Sequence, residues 1–204
     1  MSLSLRTAAR ALLAAIVILA GALVLGWWRT DGPGAGPKPS PMPLALEEMD
    51  FELVSHEGEV TGPRDWIGRP TLVFFGFTWC PDICPTTLSN ISGWLDDLGP
   101  DAARMNVAFV SVDPERDRPA ILKEHVSVFH PQIVGYAATA SELARVAAGF
   151  AVEYEKVGSG GDYTMNHTAG VLLYDRDGRF SGTIDPHESA EYAQPKLRRI
   201  LGDS

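Results

Sequence analysis

The chain is poor in cysteine, poor in positive charge beyond its first thirty residues, and has a single long hydrophobic run. Two cysteines in 204 residues, Cys80 and Cys84, confine any thiol or soft-metal chemistry to one place. Their Cys-x-x-x-Cys spacing is not the Cys-x-x-Cys of general thiol–disulfide oxidoreductases. Past Arg29 the chain carries all 26 acidic residues against 14 of its 17 lysines and arginines, a net of −12. That balance argues against nucleic acid or an anionic membrane surface as partner and fits docking to a basic surface. No internal repeat is present.

The one hydrophobic run is Ala11 to Trp28, 18 uncharged and mostly apolar residues bracketed by Arg10 and Arg29. It is long enough to span a bilayer, with Trp27 and Trp28 at an interface. A cleaved signal peptide is the rival reading, but its apolar region is usually shorter and no clear small-x-small site follows Trp28. A retained anchor is therefore expected over 11–28, with residues 1–10 cytoplasmic because Arg6, Arg10 and the terminal amine stay inside. The leader lacks the Arg- and Ser-rich length of a transit peptide, so the bacterial inner membrane is expected, with the rest of the chain periplasmic. Five prolines and three glycines in Asp31 to Pro43 make 29–43 a semi-extended linker. A globular domain is expected over 44–204.

That domain centres on Thr71 to Leu98. Thr71 to Phe77 is a β-branched and aromatic run, a buried strand. Leu88, Ile91, Trp94, Leu95 and Leu98 fall on one face of a following helix. Pro85 suits that helix's first turn, so Cys84 stands at or next to its N-cap and Cys80 in the strand-to-helix loop. A helix N-terminus favours thiolate over thiol. Two such thiolates can meet in a disulfide or on one soft metal ion.

Around this block, Phe51 to Val54 and Glu59-Val60 read as a hairpin, and Met105 to Val112 as a second buried strand. A helix from Pro119 to Phe129 and a short strand from Ile133 to Tyr136 come next. Ser141 is placed to cap a helix whose Leu143, Val146, Ala147 and Phe150 share a face. Val152 to Val157 is extended, Gly158 to Gly161 a loose loop, and Ala169 to Tyr174 a strand. Asp177-Gly178 turns into Phe180 to Ile184. A last helix from about Ser189 turns Tyr192, Leu197, Ile200 and Leu201 inward. Strands alternating with helices, then a hairpin and helix, give an α/β sandwich around a mixed sheet.

Three blocks, FFGFTWCPDICPTTL (Phe74 to Leu88), VSVDPERD (Val110 to Asp117) and YTMNHTAGVLLYD (Tyr163 to Asp175), strongly resemble the Sco/SenC family of copper chaperones. The similarity runs from about Phe51 to the C-terminus. It implies a thioredoxin-like fold with an N-terminal hairpin extension, and a role in assembling the copper site of cytochrome oxidase. By resemblance the ligands of Cu(I) and Cu(II) are Cys80, Cys84 and His167, with Cys80 and Cys84 also a redox disulfide pair. The partners implied are a copper-accepting oxidase subunit and a periplasmic thiol reductant or copper donor. The family commonly has an acid before the ligand histidine; here it is Asn166, which can orient the imidazole without raising its basicity.

His167 has company in His56, His125, His130 and His187, none in a comparable position. It precedes a buried strand in a segment that faces the cysteine loop of thioredoxin-like folds, where redox members place a cis-proline; here His167-Thr168 stands instead. Asp82 and Asp113 are acids near the expected site but are read as a loop acid and a turn or capping residue. Met165 is read as a core methionine in preference to a thioether ligand. Two other readings stay open. One is a thiol–disulfide oxidoreductase that keeps the copper-accepting cysteines reduced; the other is a copper or redox sensor. A peroxidase fits less well, needing a threonine and an arginine around one nucleophilic cysteine.

Overall fold

The computed structural model describes residues 5–30, 42–160 and 162–202. The first helix, α1 (Leu5–Thr30), contains a span, Thr7–Trp27, long and apolar enough to cross a membrane. Most of the expected linker at 29–43 lies outside the described residues. The second compact unit runs from Met42 to Ser204.

That unit is built on a seven-stranded sheet. A hairpin, β1 (Leu53–Ser55) and β2 (Val60–Thr61), forms one edge. The centre is β3 (Thr71–Gly76), β4 (Asn106–Ser111) and β5 (Ile133–Ala137), mutually parallel, with β4 in the middle. β8 (Val171–Tyr174) and β9 (Phe180–Ile184) complete the other side as antiparallel strands, giving the order β2-β1-β5-β4-β3-β8-β9. All six residues of β3 are buried, as its unbroken apolar run requires of a strand covered on both faces.

The helices are α2 (Ile83–Leu98), α3 (Pro119–Ser127), α4 (Ala140–Gly149) and α5 (Ala190–Leu201). On one face of the sheet, Phe74 packs on Phe109, and Phe109 on His125 of α3. On the other, Phe75, Phe51, Trp66 and Tyr174 surround Phe150 at the end of α4. Burying each such side chain contributes about 1.5–3 kcal/mol. The five apolar residues expected on one face of α2 are all buried. The arrangement is thioredoxin-like, and the cysteine loop leaves the carboxyl end of β3, where sheets of this kind take their ligands.

Three local expectations are corrected. α4 is capped by Thr139, whose Oγ1 accepts from the Glu142 amide at 3.2 Å, and Ser141 lies inside the helix. In α5 the inward position belongs to Ala193, leaving Tyr192 63% exposed. The stretch around Gly158 belongs to a hairpin, β6 (Tyr154–Ser159) paired with β7 (Asp162–His167) as a separate two-stranded sheet.

Candidate metal centre

Cys80, Cys84 and His167 come together at the carboxyl end of β3. One ligand atom from each, two sulfurs and an imidazole nitrogen, lie within 4.8 Å of one another. Three elements supply them. The loop after β3 carries Cys80, the second residue of α2 is Cys84, and His167 is the last residue of β7. Asp82 is the residue before α2 but makes no side-chain cap; instead the Cys84 amide points at Cys80 Sγ at 3.3 Å. A free N–H of the helix's first turn is thus directed at sulfur, the use a helix start makes of a partial negative charge.

The imidazole is oriented from behind. His167 Nδ1 lies 3.0 Å from the Thr168 carbonyl oxygen, which only accepts, so the proton sits on Nδ1. Nε2 then presents its lone pair to Cys84 Sγ at 3.5 Å. The ring stands edge-on to Phe74 and Phe77. Burial lowers the His167 pKa from its ordinary value, against a smaller opposing effect of the Thr168 carbonyl, and keeps the ring neutral as a ligand must be.

Cys84 departs from expectation. Its side chain is fully buried, and burial, reinforced by the neighbouring Cys80, pushes its pKa up from the ordinary thiol value. The helix terminus favours thiolate by about 1 kcal/mol at most sites, less than the cost of stripping water from a thiolate in an apolar pocket. Without a cation Cys84 is a thiol, and a soft metal ion is what would make a buried thiolate acceptable there. Cys80, by contrast, is partly exposed and borders an open cleft of about 390 Å³ lined also by Phe77, Asp82, Met165 and His167.

The other candidates stand apart from this centre. Met165 is buried among core residues, though it borders the same cleft. Asp113 is buried in a turn, where it pairs with Arg116. His56 accepts from the Gly135 amide, and His130 accepts from the Gln132 amide. His125 packs between Phe109 and Phe129, and His187 is exposed beside Asp185. Asn166 borders the cleft beside His167.

Sequence reasoning did not find the residues that hold this geometry. Asp117 accepts from the Thr78 amide at 3.0 Å, from Thr78 Oγ1 at 2.6 Å and from Ser111 Oγ at 2.6 Å, tying the start of the cysteine loop to β4. Burial raises the Asp117 pKa against these three donors. Tyr163 and Arg116 join the hairpin to the same segment. The available signal was the alternation of Tyr163, Met165 and His167 along one side of β7.

Residues 41–202 match the family model described as SCO1/SenC. The chain is 35% identical over 133 residues to an SCO2-like protein of Rickettsia prowazekii, covering 64% of this chain and 65% of that protein. To the mitochondrial SCO2 homologue of Bos taurus it is 33% identical over 161 residues, covering 77% of this chain and 60% of the relative. The matches thus span less than two thirds of the length of these curated relatives. Among solved structures, Bradyrhizobium japonicum ScoI with copper bound is 41% identical with a TM-score of 0.71, covering 77% of this chain and 99% of that one. Yeast Sco1 with copper bound is 28% identical with a TM-score of 0.71, covering 79% and 90% respectively.

Proposed function

Because this chain belongs to the SCO1/SenC family, matched over residues 41–202, we propose that it is a membrane-anchored copper chaperone whose cargo is one copper ion. The ion is held by Cys80, Cys84 and His167 and handed to the copper-accepting subunit of cytochrome oxidase. The observation that carries this reading is the convergence of two thiols and one imidazole within 4.8 Å. Two copper-bound relatives support the cargo.

The donor set fits the ion. Two soft sulfurs and a neutral imidazole suit Cu(I), and the same set accepts Cu(II), whereas zinc prefers a fourth ligand. Loading replaces a thiol proton by a metal charge, so copper uptake releases protons. Cys84 is sealed beneath the site and Cys80 lies at its mouth. An acceptor ligand therefore reaches the copper from the Cys80 side and leaves Cys84 as the last protein ligand to let go. α1 would hold this domain at the membrane, with the domain periplasmic and a periplasmic thiol reductant keeping the pair ready for metal.

The test is His167→Ala. Copper(II) binding and the sulfur-to-copper absorption are expected to disappear. Cu(I) binding weakens but persists on the two sulfurs in a roughly linear pair. Dithiol exchange, which needs only Cys80 and Cys84, survives. Cells carrying the variant should fail in oxidase assembly. Normal assembly with copper binding lost would instead make the protein a thiol reductant.

A further inference from the structure

β7 turns three side chains to one side, Tyr163, Met165 and His167, as strand periodicity requires. Met165 is buried in the core, and His167 faces the thiols. Tyr163, roughly 13 Å along the strand from His167 at the usual rise, meets the turn after β4. There its hydroxyl donates to Asp113 Oδ1 at 2.7 Å, and its carbonyl accepts from Arg116 Nη1 at 3.0 Å. The Arg116 guanidinium lies 3.7 Å from the Tyr163 ring centroid and 5.3 Å from that of Trp79, next to Cys80. Arg116 is itself fixed by its ion pair with Asp113, which is 1% exposed. On the hairpin's other strand, Lys156 pairs with Glu115 of the same turn at 2.7 Å.

Among the described residues the hairpin has no strand ladder to the main sheet. The hydrogen bonds at its base, between Glu153 and Thr168, join its own two ends. What sets its angle to the cysteine loop is therefore its packing through Met165, Tyr154 and Tyr163 and its polar ties to residues 113–116. We infer that Asp113, Arg116 and Tyr163 are positioning residues: they fix the β6–β7 hairpin against the turn after β4 and thereby hold His167 opposite Cys80 and Cys84. Asp117 anchors the cysteine loop from the same turn, so one short segment sets both halves of the centre. This rests on the copper reading for its consequence but not for its geometry.

Tyr163→Phe is the variant of choice, since it removes one hydroxyl and keeps the ring over Arg116. Supporting residues around a metal typically cost 10–100-fold in affinity when changed, and a loss of roughly tenfold is expected for Cu(II). Cu(I), held chiefly by the sulfurs, should change little. In the His167→Ala background, where only Cu(I) binding remains, the same substitution should leave Cu(I) affinity unchanged. Hydrogen exchange on the metal-free full chain in detergent should show faster exchange in β6 and β7 but not in β3 and β4. Equal losses for the two oxidation states, or a loss of Cu(I) affinity in the His167→Ala background, would reduce the contact to general stability and overturn the assignment. So would unchanged Cu(II) binding, whatever the hairpin amides do. Absence of copper from the unaltered protein would sink the copper reading alone, because the exchange measurement still decides whether the hairpin is held from Tyr163.

Discussion

At the scale of single residues, burial decides the chemistry more than sequence neighbours do. Cys80 and Cys84 occupy one loop and one helix start, yet one sulfur borders solvent and the other is sealed under β3. Local sequence placed both near a helix terminus and did so correctly. It said nothing of the desolvation that pushes Cys84 up, because that comes from long-range packing, with Gly76 of β3 close against its sulfur. His167 was singled out by resemblance and by its place before a strand; the Thr168 carbonyl that sets its tautomer is visible only in three dimensions. His125 illustrates the same rule away from the site. Its ring is packed against Phe109 and Phe129, and its buried Nε2 has no hydrogen-bond partner among the described residues. Burial lowers its pKa, the Asp117 charge opposing more weakly. A lowered histidine pKa means the folded state binds the proton less readily than the unfolded one. The contribution to stability is then complete above the unfolded value of about 6.5 and is lost as pH falls below it. His125→Leu should therefore gain about 1 kcal/mol at pH 7.5 by removing an unpaired buried nitrogen, and gain more at pH 5. Urea unfolding at the two pH values checks this, and a pH-independent difference would contradict it.

At the scale of elements, the unit that matters is β3, its cysteine loop and α2, and its tightest point is Gly76. A Cβ built there would meet the Phe109 ring at 2.6 Å and Cys84 Sγ at 3.1 Å. Neither neighbour has room to move, since Phe109 is fully buried in β4 and Cys84 is fixed in the first turn of α2. Gly76→Ala is expected to cost about 1–3 kcal/mol by overpacking and to weaken copper binding by displacing Cys84. A thermal melt alongside copper titration tests both, and an unchanged melting temperature would refute the close packing. β3 and α2 were legible because each bears an unambiguous apolar period. Of the β6–β7 hairpin only the extended stretch that became β6 was legible; β7 was not, since Asp162-Tyr163-Thr164-Met165-Asn166-His167 is mostly polar and its alternation is short. The hairpin's glycines drew attention to the turn and away from β7. Ser141 was misplaced because sequence locates helix ends loosely, whereas Tyr192 sits one position off the face that Ala193, Leu197, Ile200 and Leu201 bury in a helix whose start at Ser189 was read correctly.

At the scale of the whole molecule, charge and hydrophobicity divide the chain into two parts of different composition. The domain's net charge is strongly negative, while α1 contains a span from Thr7 to Trp27 free of acids. Core positions of the sheet could be read from apolar runs, whereas the pairing of β8 beside β3 is long-range and left no local mark. The fate of α1 follows from transfer energetics. Each leucine, isoleucine or valine near the middle of such a span favours the bilayer by about 0.3–0.6 kcal/mol, and nine of them lie from Leu12 to Leu25 with no charge among them. Orientation rests on the few cations flanking the span. Arg6 and Arg10 outnumber Arg29, and acidic residues beyond contribute little to topology, so the side of the span that carries Arg6 should stay in the cytoplasm. Retention of the span predicts that the full chain expressed in a bacterium pellets with membranes and resists an alkaline carbonate wash. Protease added to spheroplasts should digest residues beyond the span while leaving the N-terminus protected. The isolated protein should still contain α1. A soluble periplasmic form starting after Trp28 would identify α1 as a cleaved signal sequence and leave the copper centre to work without a tether.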